Sequence, residues 1–128
     1  MAEIIFDNRI EEFSRGGKDF MYIDFSAFKN NEDFNALIGL VKEKMLKYDA
    51  NSVYTITNIE DITFNMETMD ILGKYMLYNK QYVKDGAVIG MSGMKKLMLN
   101  GLLESSRRED MNFASTKEEA VELLLKLE

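Results

Sequence analysis

Ser92 stands in the stretch Gly90-Met91-Ser92-Gly93, and Lys95 and Lys96 follow within one helical turn. Two chemistries suit such a turn: a serine nucleophile or a phosphate cradle. The nucleophile elbow needs G-x-S-x-G. Gly93 comes one residue too early for that, and the chain has no histidine to take the serine's proton. The spacing G-x-x-x-x-G-K-[ST] of a P-loop is also absent. What survives is a weak anion site at Ser92, Gly93 and Lys95. Ser92 can cap a helix whose first amides are unpaired, and those amides favour negative charge. Lys95 and Lys96 oppose the helix dipole there by about 0.3–1 kcal/mol each. A local rule broken in this way can mark a site. In the ordinary structural reading, Gly90 and Gly93 permit a tight turn and the lysines point into water.

The missing residue types narrow the chemistry further. With no histidine, cysteine or tryptophan, imidazole acid–base catalysis, thiol nucleophiles and Cys/His zinc sites are excluded. Carboxylates, lysines, tyrosines and hydroxyls remain. An enzyme would have to work through Asp24 or a lysine. No tight acidic cluster at strand ends argues for magnesium. The expectation is a non-enzyme with no catalytic residue, metal or cofactor. Sixteen basic side chains against 22 acidic ones give a net charge of −6. Such a surface repels phosphate backbones, so nucleic acid is not an expected partner. No run of about 18 apolar residues suits a membrane span. The start, MAEIIFDNR, lacks the basic and apolar regions of a secretory signal. The lack of cysteine fits a reducing compartment. The expected location is the cytoplasm.

The elements that would position these residues follow from periodicity. The 128 residues suit one domain, 1–128. Arg15-Gly16-Gly17-Lys18 reads as a hairpin turn, with a strand before it and one at about 19–25. Phe34, Leu37, Ile38, Val41, Met45 and Tyr48 recur at helical spacing, with Asn30 or Asn31 as the cap. Gly39 inside that helix costs up to about 1 kcal/mol, which predicts close packing against it. Ser52–Thr57 is a strand, and Asn58 to Thr63 a turn. A helix follows over about 66–80, capped by Asn65, with a Phe64–Met69 staple and Met69, Leu72 and Met76 inward. A strand at about 85–91 leads to a helix bearing Met94, Leu97, Met98, Gly101 and Leu102 on one face. Residues 111–114 form a short strand. Ser115 and Glu118 form a capping box for the last helix, which turns Ala120, Leu123, Leu124 and Leu127 inward. This alternation predicts an α/β domain: a five-stranded, mostly parallel sheet with an N-terminal antiparallel hairpin and four helices.

In such a sheet, ligands lie off the carboxyl ends of the strands. Asp24, Ser26, Thr57, Asn58, Asn65, Ser92 and Ser115 fall there. They make a plausible ligand rim, and they are equally expected as helix caps and turn residues. Tyr75, Tyr78 and Tyr82 with Lys74, Lys80 and Lys84 form either an aromatic–basic patch or half-buried tyrosines beside solvated lysines. Met91, Leu99 and Leu103 do not fit the inner face of the third crossover helix. They mark either a helix buried on two sides or an exposed patch for a protein partner or a homodimer.

The order of elements and the stretches FMYIDFSAF, SVYTITNIEDITFN, YVKDGAVIGMSGMKKLMLNGL and MNFASTKEEAVELLLK resemble the STAS domain. This is the bacterial sporulation anti-sigma-factor-antagonist fold, and the likeness runs from about Phe20 to Leu127. It implies a non-catalytic regulatory module that binds a protein through strand-end loops and the second and third crossover helices. It also implies an alternative, a carrier or sensor of a nucleotide, lipid or other small anionic or amphipathic ligand. The family's switch is a serine or threonine at the start of the helix after the second crossover strand. Here that region is DITFNMETMD, which has no serine; its hydroxyls are Thr63 and Thr68. Met66 or Glu67 takes the serine's place. With Glu67 there, the position is permanently acidic but carries less charge than a phosphate.

Overall fold

The computed structural model describes residues 7–63, 65–90 and 111–126. A 3-10 turn, Asp7–Arg9, precedes β1 (Ile10–Arg15) and β2 (Lys18–Asp24). Helix α1 (Asn31–Met45), β3 (Val53–Asn58), α2 (Met66–Asn79), β4 (Val83–Ile89), β5 (Met111–Ala114) and α3 (Lys117–Leu125) follow. The five strands form one sheet in sequence order. β1 and β2 are antiparallel, and β2–β3, β3–β4 and β4–β5 are parallel. This is the expected mixed sheet with its N-terminal hairpin. Three α-helices lie among the described residues; the expected fourth falls within 91–110, outside them.

The hairpin turn is the two glycines Gly16 and Gly17, both at positive φ (62° and 79°), as a tight two-residue turn requires. Alternation then sorts the side chains of each strand onto two faces. Met21, Ile23, Phe25, Val53, Val83 and Val88 meet the buried stripes of α1 and α2, among them Phe34, Leu37, Val41, Met45, Leu72 and Met76. Phe20, Tyr54, Ile56, Ala87 and Ile89 meet Ala120, Val121 and Leu124 of α3 on the other face. The register shifts between Val53 and Tyr54, which pair with Val83 and Asp85. A bulge at Lys84 therefore puts Val83 and Val88, five residues apart, on one face.

Several boundaries move from their expected places. The fourth strand is 83–89 rather than 85–91, because the bulge lets it begin earlier. Of the two caps expected for α1, Asn30 serves, accepting from the Asp33 amide at 2.8 Å. The last capping box sits one residue later than Ser115/Glu118. Thr116 Oγ1 accepts from the Glu119 amide, and Glu119 Oε1 accepts from the Ser115 amide. Val121 is buried where Leu123 was expected. Met69 is only half-buried; Tyr75 and Asn79 complete the inner face of α2. The Phe64 staple and Leu127 fall outside the described residues. Nothing packs against Gly39: a Cβ there would meet open space. Among the described residues, no helix is long and apolar enough to cross a membrane.

Candidate functional site

The carboxyl ends of β2 and β3 open into short loops, and backbone hydrogen bonds tie these loops to each other and to the end of β4. The Phe25 amide donates to the Asn58 carbonyl, the Ala27 amide to Glu60, the Thr63 amide to Phe28 and the Ile59 amide to Ile89. Gly90 has φ 83°, and a Cβ on it would lie 2.5 Å from the Glu60 nitrogen. Only glycine fits this contact. Ala27 (φ 64°) and Asp61 (φ 57°) are also left-handed. For alanine that conformation costs about 1–2 kcal/mol, offset here by its bond to Glu60. Lys29 ties Asp61 down from the neighbouring loop, donating to its carbonyl at 2.6 Å and pairing with its carboxylate at 3.2 Å.

An aromatic plug supports this rim from below. Phe25 stacks on Phe34 at 4.6 Å and meets Tyr75 edge-on, while Phe28 stands edge-on to both phenylalanines. The Arg9 guanidinium lies 4.4 Å over the Phe28 ring and donates to the Asp24 and Ser26 carbonyls. Such stacking holds a cation without full solvation.

The rim residues expected from the sequence come together as turn and cap groups. Asp24 Oδ1 accepts from the Ser26 amide at 2.8 Å, and Asn58 Oδ1 from the Glu60 amide at 2.9 Å. Asn58 also donates its side-chain N–H to the Tyr22 hydroxyl. Asn65 caps α2 through the Thr68 amide. Thr68 is 1% exposed, and its hydroxyl lies 3.0 Å from both Asn31 Oδ1 and Asn65 Oδ1, joining the first turns of α1 and α2. Thr63, Glu67 and Met66 are exposed, Met66 at 85%. Ser92, Gly93 and Lys95, and the interface residues Met91, Leu99 and Leu103, lie outside the described residues. Sequence reading missed Arg9, the Gly90–Glu60 contact and the aromatic plug. The close run of Phe25, Phe28 and Phe34 was the available signal for the plug.

At the opposite end, the expected tyrosine–lysine patch divides. Tyr75 is buried in the core. Tyr78 and Tyr82 form a tilted pair 6.0 Å apart, and Lys42 lies 4.7 Å over the Tyr78 ring. A hydrogen bond between the two phenols, with some burial and the Tyr78 charge, raises the pKa of Tyr82. Nearby, Lys47 (2.7 Å) and the Tyr48 hydroxyl (2.8 Å) both bind Glu12 of β1. Burial pushes the Glu12 carboxyl up, but these two bonds and the Lys47 and Lys44 charges outweigh it and leave the pKa lowered. Tyr48 is raised, first by burial and then by Glu12. Among the described residues, no group of three or more acidic side chains could hold a metal ion.

No family model matches the chain, and no curated protein matches it. Among solved structures, it is similar to the crystal structure of an uncharacterised DUF3478-family protein with a SpoIIAA-like fold from Shewanella loihica PV-4. The two share 14% identity and a TM-score of 0.67, over 90% of this chain and 91% of that one. At this identity the likeness speaks to architecture alone: the chain has a SpoIIAA-like fold.

Proposed function

We propose that the protein is a non-enzymatic STAS-type regulatory module, one domain over residues 1–128, acting in the cytoplasm by binding a protein partner. The binding face is the strand-end rim with the start of α2 and, as the resemblance implies, the helix expected after Gly93. The observation that carries this reading is backbone strain held at the rim. Ala27 and Asp61 are left-handed there, and Gly90 lies so close to Glu60 that no side chain fits between them. Strain of this kind gathers where a surface must keep one shape. Met66, almost fully exposed, and Glu67 stand beside it as an apolar contact and a fixed negative charge in place of a phosphorylated side chain. Thr63 is the exposed hydroxyl at this end of α2, whereas the Thr68 hydroxyl is buried between Asn31, the first residue of α1, and Asn65, the cap of α2.

Native mass spectrometry of protein purified from its own host tests the reading. The expected result is a retained protein partner that is lost on Glu67→Lys. A retained nucleotide or lipid lost on changes at Ser92, Lys95 or Asn58 would instead favour the ligand-carrier reading. A second copy retained through Met91, Leu99 and Leu103 would make the partner the chain itself. Turnover of a substrate that disappears on Asp24→Asn would overturn the non-enzymatic reading.

A further inference from the structure

The other end of the α1–α2 layer carries a second, independent surface. Over residues 42–49 and 74–84, six lysines accompany Glu43 and Asp49, with Glu12 paired to Lys47 and Asp70 to Lys74; over 24–33 and 58–67, Lys29 stands among six carboxylates. In a chain of net charge −6, the basic groups are thus segregated at the helix C-termini. Between the helices runs an open groove of about 220 Å³, lined by Asn35, Ile38, Lys42, Asp70, Ile71, Lys74 and Tyr75. Lys42 leads from it onto the Tyr78–Tyr82 pair. Leu46, one helical turn after Lys42, is 67% exposed, and Leu77, three residues after Lys74, is 58% exposed.

We propose that this ledge docks an acidic, amphipathic segment of another protein, most simply a helix laid along the α1–α2 groove. The lysines select negative charge. The groove, Leu46, Leu77 and the tyrosine pair take apolar side chains spaced three or four apart, as helix-in-groove recognition does. Glu43 is exposed among the lysines, and Asp70 pairs with Lys74 at 3.2 Å. The surface is therefore a pattern of charges that reads a partner's own pattern. An anionic bilayer rewards uniform positive charge instead.

Selection of a displayed library of helical peptides on the whole chain, followed by amide NMR titration of the enriched peptides, tests this. The expected sequences carry net negative charge with apolar residues three or four apart. Their shifts fall on residues 38–47 and 71–82, and binding weakens as ionic strength rises. Leu77→Ser and Lys74→Glu are each expected to weaken binding by about ten-fold or more, with amide spectra otherwise unchanged. Lys74→Gln, which adds no negative charge, is expected to fall between. Neutral or basic consensus sequences, shifts confined to the rim, or no binder at all would overturn the proposal. So would phosphatidylglycerol vesicles binding through Leu46 and Leu77 where peptides do not.

Discussion

The two ends of the α1–α2 layer are held by different means. At the strand-end rim, main chain holds main chain: loops exchange amide–carbonyl bonds, and asparagine and aspartate side chains close turns. At the helix C-termini the loops also join main chain to main chain, Asn51 to Gln81 and Ser52 to Tyr82, but the outer surface is set side chain against side chain: Lys42 over Tyr78, Tyr78 beside Tyr82, Glu12 between Lys47 and Tyr48. The first arrangement fixes backbone shape and tolerates little change. The second fixes a charge pattern and can be altered without moving the backbone. Substitutions of the rim's backbone and turn residues should therefore act mainly on folding, and those of the ledge's exposed lysines and leucines mainly on recognition.

The hardest test of that contrast is Gly90→Ala. The new methyl would need a left-handed backbone and would lie 2.5 Å from the Glu60 nitrogen. Urea unfolding should show a loss of about 3 kcal/mol or more; a loss below 1 kcal/mol would mean the loops yield easily. Thr68→Val is next. It keeps the shape but removes the buried hydroxyl that serves Asn31 and Asn65. A loss of about 1–3 kcal/mol is expected, with hydrogen exchange quickening in the first turns of both helices together.

The same contrast separates what was legible in the sequence from what was not. The Gly16-Gly17 turn, the α1 stripe from Phe34 to Met45 and the Asn65 cap are local patterns, and each appears where periodicity or turn chemistry placed it. Asp24, Asn58 and Asn65 were legible as residues of the strand ends, because in a parallel sheet the connections emerge there. The ties of Asp24 to Arg9 and of Glu60 to Gly90 were not. Those contacts join residues 15 and 30 positions apart in the chain, and the second is a close approach of two backbones that no side-chain pattern announces. The one-residue error at the last helix has a similar cause. Ser115, Thr116, Glu118 and Glu119 offer two overlapping capping boxes, and only packing of Val121 and Leu124 against the sheet chooses between them.

Glu12→Gln carries the comparison to the ledge end. The native carboxylate has a pKa below its ordinary 4.5, so its contribution is present above that value and is lost as pH falls through the lowered one. Near pH 7 the variant should be about 1 kcal/mol less stable, and the gap should close in acid. Tyr48, raised above its ordinary 10.0, makes the same clamp fade as pH rises past 10. Chemical denaturation of both proteins from acid to alkaline pH checks both limbs. A gap that does not narrow at low pH would mean the charge of Glu12 is unimportant to the clamp.

Gly39→Ala gives the smallest change in stability and separates the two roles most clearly. Gly39 lies mid-helix on α1, exposed, and a Cβ there touches nothing within 4 Å. Alanine should therefore raise stability by about 0.5–1 kcal/mol, because it lowers the entropy of the unfolded chain and favours the helix. No contact among the described residues requires glycine at this position. Gly39 follows Ile38 and precedes Lys42, both of which line the groove. A helix docked there approaches α1 closely only if that turn carries no side chain. The expected pair of outcomes is higher stability in urea and weaker binding of acidic peptides. Higher stability with unchanged binding would place the docked segment farther along the ledge, over Leu46 and the Tyr78–Tyr82 pair. Lower stability would show that the glycine serves the fold in a way its open surroundings do not reveal, and would remove this turn from the contrast between the two ends.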